Sequence, residues 1–181
     1  MRNNFILLVA TILVTISHAQ TALEQEFLNQ LNIYRKQHKL GPTKYDAEVS
    51  RVSAYHTKYM VECERTGHSV QSDKLPHDEQ FDIKGHREMT FVQRVGMAPD
   101  KNIWGEISIP SFGRQKGMSL VETARAMVIV FDGSPGHKQA MLFPDAPQKI
   151  TDIVGISIVT ISTSQLYEEY SVNIDFGFIE K

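Results

Sequence analysis

Apolar positions along the chain fall into two periods, and the elements follow from them. In residues 21–38, Leu23, Phe27, Leu31 and Tyr34 recur at three- and four-residue steps, which predicts an amphipathic helix. Gly41-Pro42 ends that run and turns the chain. A second helix is predicted after Asp46, which reads as its cap. Val49, Val52, His56, Tyr59 and Cys63 mark the buried face of this helix. The period then disappears over residues 64–87, where Gly, Ser, Pro, Asp and His dominate. That stretch reads as a long surface loop, and loops of this length in a compact domain are usually functional or disordered. A short helix is predicted over residues 88–95, ending at Gly96.

Period two takes over at residues 102–109. Ile103, Gly105, Ile107 and Ile109 are expected on one face of a strand, with Trp104, Glu106 and Ser108 on the other. A Gly/Pro/Ser-rich loop is expected over residues 110–117. Ser119 and Glu122 form a capping-box signature for a helix whose core stripe is Leu120, Ala124, Met127, Val128 and Phe131. Ser134 as cap and Pro135 at the first helical position predict a further short helix. Residues 153–161 form an almost continuous apolar run, as expected for a strand covered on both faces. Tyr170, Val172, Ile174, Phe176 and Phe178 then alternate with Ser171, Asn173, Asp175 and Gly177. The short link between these two runs predicts an antiparallel hairpin. Helices first and strands late imply an α+β fold: a three-layer α/β/α sandwich with a small antiparallel sheet between helices.

The N-terminus changes the picture by giving the chain an address. Arg2, an apolar run of twelve residues from Phe5 to Ile16, and Ser17-His18-Ala19 read as a signal peptide cut before Gln20. The expected organisation is therefore a leader over residues 1–19 and one domain over 20–181. No later segment is apolar for long enough to cross a membrane. The domain is then secreted or periplasmic. The chain has 19 basic and 21 acidic residues without a basic block, which argues against a nucleic-acid binder. Cys63 is the single cysteine, so no internal disulfide can form.

Candidate chemistry sits on a histidine of the 64–87 loop, on Glu106 within Trp104-Gly105-Glu106-Ile107, and on Ser134-Pro135-Gly136-His137. Imidazole and carboxylate serve zinc ligation and general acid/base work alike. Each also has a plainer reading. Glu106 reads equally as a structural carboxylate, His137 as a helix-start hydrogen bonder, and His56 as a core histidine. Ser134 is explained as a cap and lacks a nucleophile-elbow context, which argues against serine catalysis.

In order and spacing these pieces resemble the CAP superfamily of cysteine-rich secretory, antigen 5 and pathogenesis-related proteins, in its bacterial form. The resemblance runs from about Leu23 to Gly177. It rests on Leu31-Asn32-x-x-Arg35, Ala54-x-His56-x-x-x-Met60, Arg94-Val95-Gly96, Gly105-Glu106-Ile107, Val154-Gly155-Ile156 and Asp175-Phe176-Gly177. Its most specific piece is Phe131-x-x-Ser134-Pro135-Gly136-His137-Lys138-x-x-Met141-Leu142. The resemblance implies a cleft containing His77 or His68, Glu106, Ser134 and His137. His77 is favoured by its Leu75-Pro76-His77-Asp78 context, and His68 by its distance from the preceding helix. It further implies His77 and His137 as ligands of a divalent metal, zinc being the metal that suits them, and an extracellular ligand or partner such as a lipid or a protein. The alternative it implies is a metal-assisted, peptidase-like hydrolase with Glu106 as candidate catalytic residue. Three departures stand out: the family's second glutamate has no counterpart near Ser134, its tryptophan is Phe131, and the residue after Glu106 is Ile107 rather than Asn.

Overall fold

The computed structural model describes residues 20–66, 89–143 and 150–180. The leader of residues 1–19 and the loop histidines His68, His77 and His86 lie outside these residues. Helix α1, Ala22–Gln37, opens with a capping box: the Thr21 hydroxyl accepts from the Glu24 N–H, and the Glu24 carboxylate accepts from the Thr21 N–H. A two-residue strand β1, Lys44–Tyr45, leads into α2, Ala47–Thr66. Asp46 caps α2 as expected, its carboxylate accepting from the N–H groups of Glu48 and Val49. Helix α3, Phe91–Val95, is followed by strand β2, Asn102–Gln115. Helices α4, Leu120–Asp132, and α5, Pro135–Met141, precede the long strands β3, Ile150–Thr163, and β4, Tyr167–Glu180.

The sheet has four strands in the order β1-β3-β4-β2. The β3–β4 hairpin and the β4–β2 pair are antiparallel, as expected. The sheet is nevertheless mixed, because β1 runs parallel to β3 through Lys44–Ile153 and Tyr45–Val154. Two residues carry too little pattern to be read as a strand. On one face α1, α4 and α5 close the main core, where Phe27, Leu31, Met127, Phe131 and Met141 meet Ile107, Val154, Ile156, Val172, Ile174 and Phe176. On the other face α2 and the short α3 cover a smaller apolar cluster that includes Val49, Val52, Ile103 and Ile153. This gives the expected three layers. No helix among the described residues is long and apolar enough to cross a membrane.

Strand β2 departs from its predicted pattern twice. The register shifts between Ile103 and Gly105, and again between Ile109 and Phe112. At the first shift Trp104 is the extra residue, so Ile103 and Ile107 face opposite sides instead of sharing one. Trp104 joins the main-core side, between Phe143 and Phe176, with ring centroids 4.0 Å and 5.7 Å away. The second shift absorbs Pro110 and Ser111, and the strand continues to Gln115 where a loop was expected. A bulge tolerates a proline that a regular ladder would not.

Gly155 fixes how α2 seats on the sheet. A Cβ there would fall 2.3 Å from the Val49 carbonyl carbon, so only glycine admits the helix at this distance. The covering face of α2 is largely polar: Ser50, Ser53, His56 and Thr57 are all fully buried. Beyond β1 the outer edge of β3 is closed by side chains. The Ile156 N–H donates to the Ser50 hydroxyl and the Ile158 N–H to the Glu24 carboxylate, each at 3.1 Å.

Candidate functional site

The alternation in β4 turns Tyr170, Val172, Ile174 and Phe176 toward the main core. Its other face presents Ser171, Asn173 and Asp175, and all three are fully buried beneath α2. The register places Glu106 of β2 directly opposite Asp175 of β4. On neighbouring strands this brings the two side chains to the same face, within about 5 Å at Cβ. Asn173 joins them: its amide nitrogen donates to Glu106 Oε2 at 3.2 Å and to Asp175 Oδ2 at 3.1 Å. The Asn173 carbonyl oxygen in turn accepts from the Ser108 hydroxyl.

Helices close the cluster from above. Arg94 of α3 is fully buried and donates from Nη2 to Glu106 Oε1 at 2.7 Å. Its Nη1 donates to the Met89 carbonyl at 2.6 Å. The Ser53 hydroxyl of α2 donates to Asp175 Oδ2 at 2.6 Å. His56 of α2 brings Nε2 to 3.9 Å from Glu106 Oε1 and is itself fully buried. Burial, then the facing Glu106 charge, holds the Asp175 carboxyl well above the usual carboxylate range, against the opposing pull of Ser53 and Arg94.

Glu106 thus lies in a ring of polar partners drawn from α2, α3, β2 and β4. The sequence marked Glu106 and, as a core residue, His56. It did not mark Arg94, Asn173, Asp175 or Ser53 as its partners. The available signal was the polar half of the β4 alternation, together with an arginine in a five-residue helix.

His137 occupies a different environment. It lies half-buried in the first turn of α5, edge-on to Phe131 with ring centroids 5.3 Å apart. Phe131 belongs to the main core, on the face that Ile107 joins and from which Glu106 turns away. Ser134 occupies the cap position of α5, but its side chain makes no capping hydrogen bond. Pro135 supplies no N–H at the first helical position, which leaves one fewer donor for a cap to satisfy. Among the described residues no group of three His, Cys, Asp or Glu side chains is placed to hold a metal ion. Both Glu106 oxygens are already engaged by Arg94 and Asn173. The described residues therefore do not fit a zinc site around Glu106. The side chain of Cys63, on α2, lies outside the described residues.

The opening residues of the CAP-like pattern act as clamps. Asn32 exchanges two hydrogen bonds with the Thr43 backbone, at 3.1 Å and 2.9 Å, and so sets the approach to β1. Arg35 donates to the carbonyls of Gly41 and Met141, each at 2.9 Å, and to Asp152 at 2.7 Å. One guanidinium thereby ties α1 to the following turn, to α5 and to β3. A separate surface feature lies between α1 and α4, a groove lined in part by Ile33, Tyr34, Arg125 and Ile129. Ile33 and Ile129 are apolar residues off the core-facing stripes of their helices, a signal the periodic reading passed over.

These features define a three-layer α+β domain with a buried polar cluster on one side of its sheet. Among solved structures it is similar to an outer surface protein from Borrelia burgdorferi, with 15% sequence identity, 90% of this chain and 96% of that chain covered, and a TM-score of 0.50. At that identity the likeness speaks for the fold. No protein-family model and no curated protein matches the sequence.

Proposed function

We propose that the chain is an extracytoplasmic binding domain of the CAP type, which engages a ligand or partner without turning it over. The engagement of Glu106 carries this reading. Its carboxylate is only 6% exposed, is ion-paired to Arg94 and accepts from Asn173. A general base must reach the proton it removes, and a carboxylate committed to a buried guanidinium is poorly placed to do so. The export-like leader and an outer surface protein as structural neighbour support the location, and the order of the CAP-like motifs supports the type.

The test is a screen of peptide, ester and peptidoglycan substrates with the protein lacking residues 1–19. No turnover above background is expected from it or from Glu106→Gln. Hydrolysis that vanishes in both Glu106→Gln and His137→Ala, with folding intact, would replace this reading with the metal-assisted hydrolase. Zinc titration of the same protein and of His137→Ala decides the metal. Equal heats from the two remove His137 as a ligand, whereas loss in the variant brings a metal into the ligand site.

A further inference from the structure

The cluster beneath α2 poses a charge problem. Two carboxyl groups stand opposite each other on adjacent strands, and Asp175 is fully buried. The one arginine of the cluster lies against Glu106, and among the described residues no cation stands within ion-pair distance of Asp175. The groups facing Asp175 come from every layer packed on it. Helix α2 brings Ser53 and, against Glu106, His56; α3 brings Arg94, β2 brings Glu106, and β4 itself brings Asn173, which Ser108 of β2 backs. On β3 its register partner is Gly155, which offers no side chain, and the nearby Ser157 is neutral.

The hydrogen bonds on Asp175 are one-sided. Oδ2 accepts from both Ser53 and Asn173, whereas Oδ1 accepts from none of the described residues. A buried carboxylate oxygen with no donor is costly, while the same oxygen carrying a proton becomes a donor. Like-charged carboxyl groups this close cannot both ionise without a large rise in the affinity of one for its proton.

We infer that folded Asp175 is a neutral carboxylic acid near neutral pH, with its proton on Oδ1 and shared toward Glu106, so that folding takes up a proton and the domain is stabilised by mild acid. The direction of the Asp175 shift agrees. Its sign fixes the window. An acid held above its unfolded value contributes stability that is complete below about pH 4, the unfolded value, and is lost as pH rises through the folded value. Within that window one linked proton lowers the folding constant about tenfold per pH unit.

Asp175→Asn supplies the comparison. Its carboxamide keeps an acceptor for Ser53 and Asn173 and places an N–H where the proton would be. The unfolding constants of the wild type and Asp175→Asn are measured by urea titration from pH 5 to pH 9. The stability of the wild type relative to the variant is expected to fall by about tenfold per pH unit while folded Asp175 keeps its proton, and to level off once pH passes the folded value. A ratio independent of pH over this range would overturn the inference. If the variant does not fold, infrared spectroscopy of the wild type in D2O at pH 7 decides. The carbonyl stretch of a protonated carboxylic acid is expected in the folded protein and is lost on unfolding. Its absence in the folded protein would overturn the inference as well.

Discussion

Arg35 shows what a single residue contributes here. Its side chain is 4% exposed and its three hydrogen bonds end on three different segments. Burial disfavours its charge, and Asp152 beside it offsets part of that cost. Removing Arg35 leaves the Gly41 and Met141 carbonyls without their donor, while Asp152, 26% exposed, can turn to water. Arg35→Met is therefore expected to lower stability by about 3 kcal/mol, read from the midpoint of chemical denaturation. A loss below about 0.5 kcal/mol, the usual range for a surface change, would show that the clamp is incidental. The same scale shows where sequence reading stops. Glu106 stood out because its residue type suits chemistry. The cluster around it, Arg94, Ser53, Asn173 and Asp175, is spread over more than a hundred positions; the register of β2 on β4 brings Asn173 and Asp175 to it, and the seating of α2 and α3 brings Ser53 and Arg94. No local pattern encodes that register, since bulges at Trp104 and at Pro110–Ser111 reset it.

At the scale of elements, short-range rules were the most legible. Ser119 and Glu122 form the expected capping box on α4, with the Glu122 N–H donating to the Ser119 hydroxyl at 3.2 Å. The Ser119 interactions also pull the Glu122 carboxyl below its ordinary value. Ser134 precedes α5 in the same way but forms no such bond. Ser119→Ala should thus cost about 1 kcal/mol. Ser134→Ala should stay within about 0.5 kcal/mol of the wild type, and thermal unfolding of the pair checks both values. Equal losses would show that cap position alone, and not the hydrogen bond, sets the cost. Helices α1, α2 and α4 and strand β4 emerged from periodicity because each turns one face to a core, whereas β3 emerged from its continuous apolar run and α5 from its cap signature. On β2 the predicted faces hold from Gly105 to Ile109 and fail at Ile103 and Trp104, because a single inserted residue exchanges inside for outside.

For the whole molecule, the layered α+β architecture follows from counting which elements have an apolar stripe to bury. The seating of α2 on a polar sheet face does not follow from that count. It depends on a close approach at Gly155 and on hydroxyl and carboxyl groups satisfying one another out of water. Stability here has no covalent support, because a chain with one cysteine cannot close a disulfide on itself. The unfolding midpoint should be the same with and without a thiol reductant. A lower midpoint under reduction, accompanied by loss of a doubled species on a non-reducing gel, would reveal a bridge through Cys63 between two copies. An open strand edge is where unfolded neighbours attach. Along β3 that invitation is withdrawn by two side chains, because Ser50 and Glu24 hold the N–H groups that a stranger's strand would need. Glu24 does this while capping α1, so one carboxylate both starts the first helix and guards the domain against polymerising along that edge.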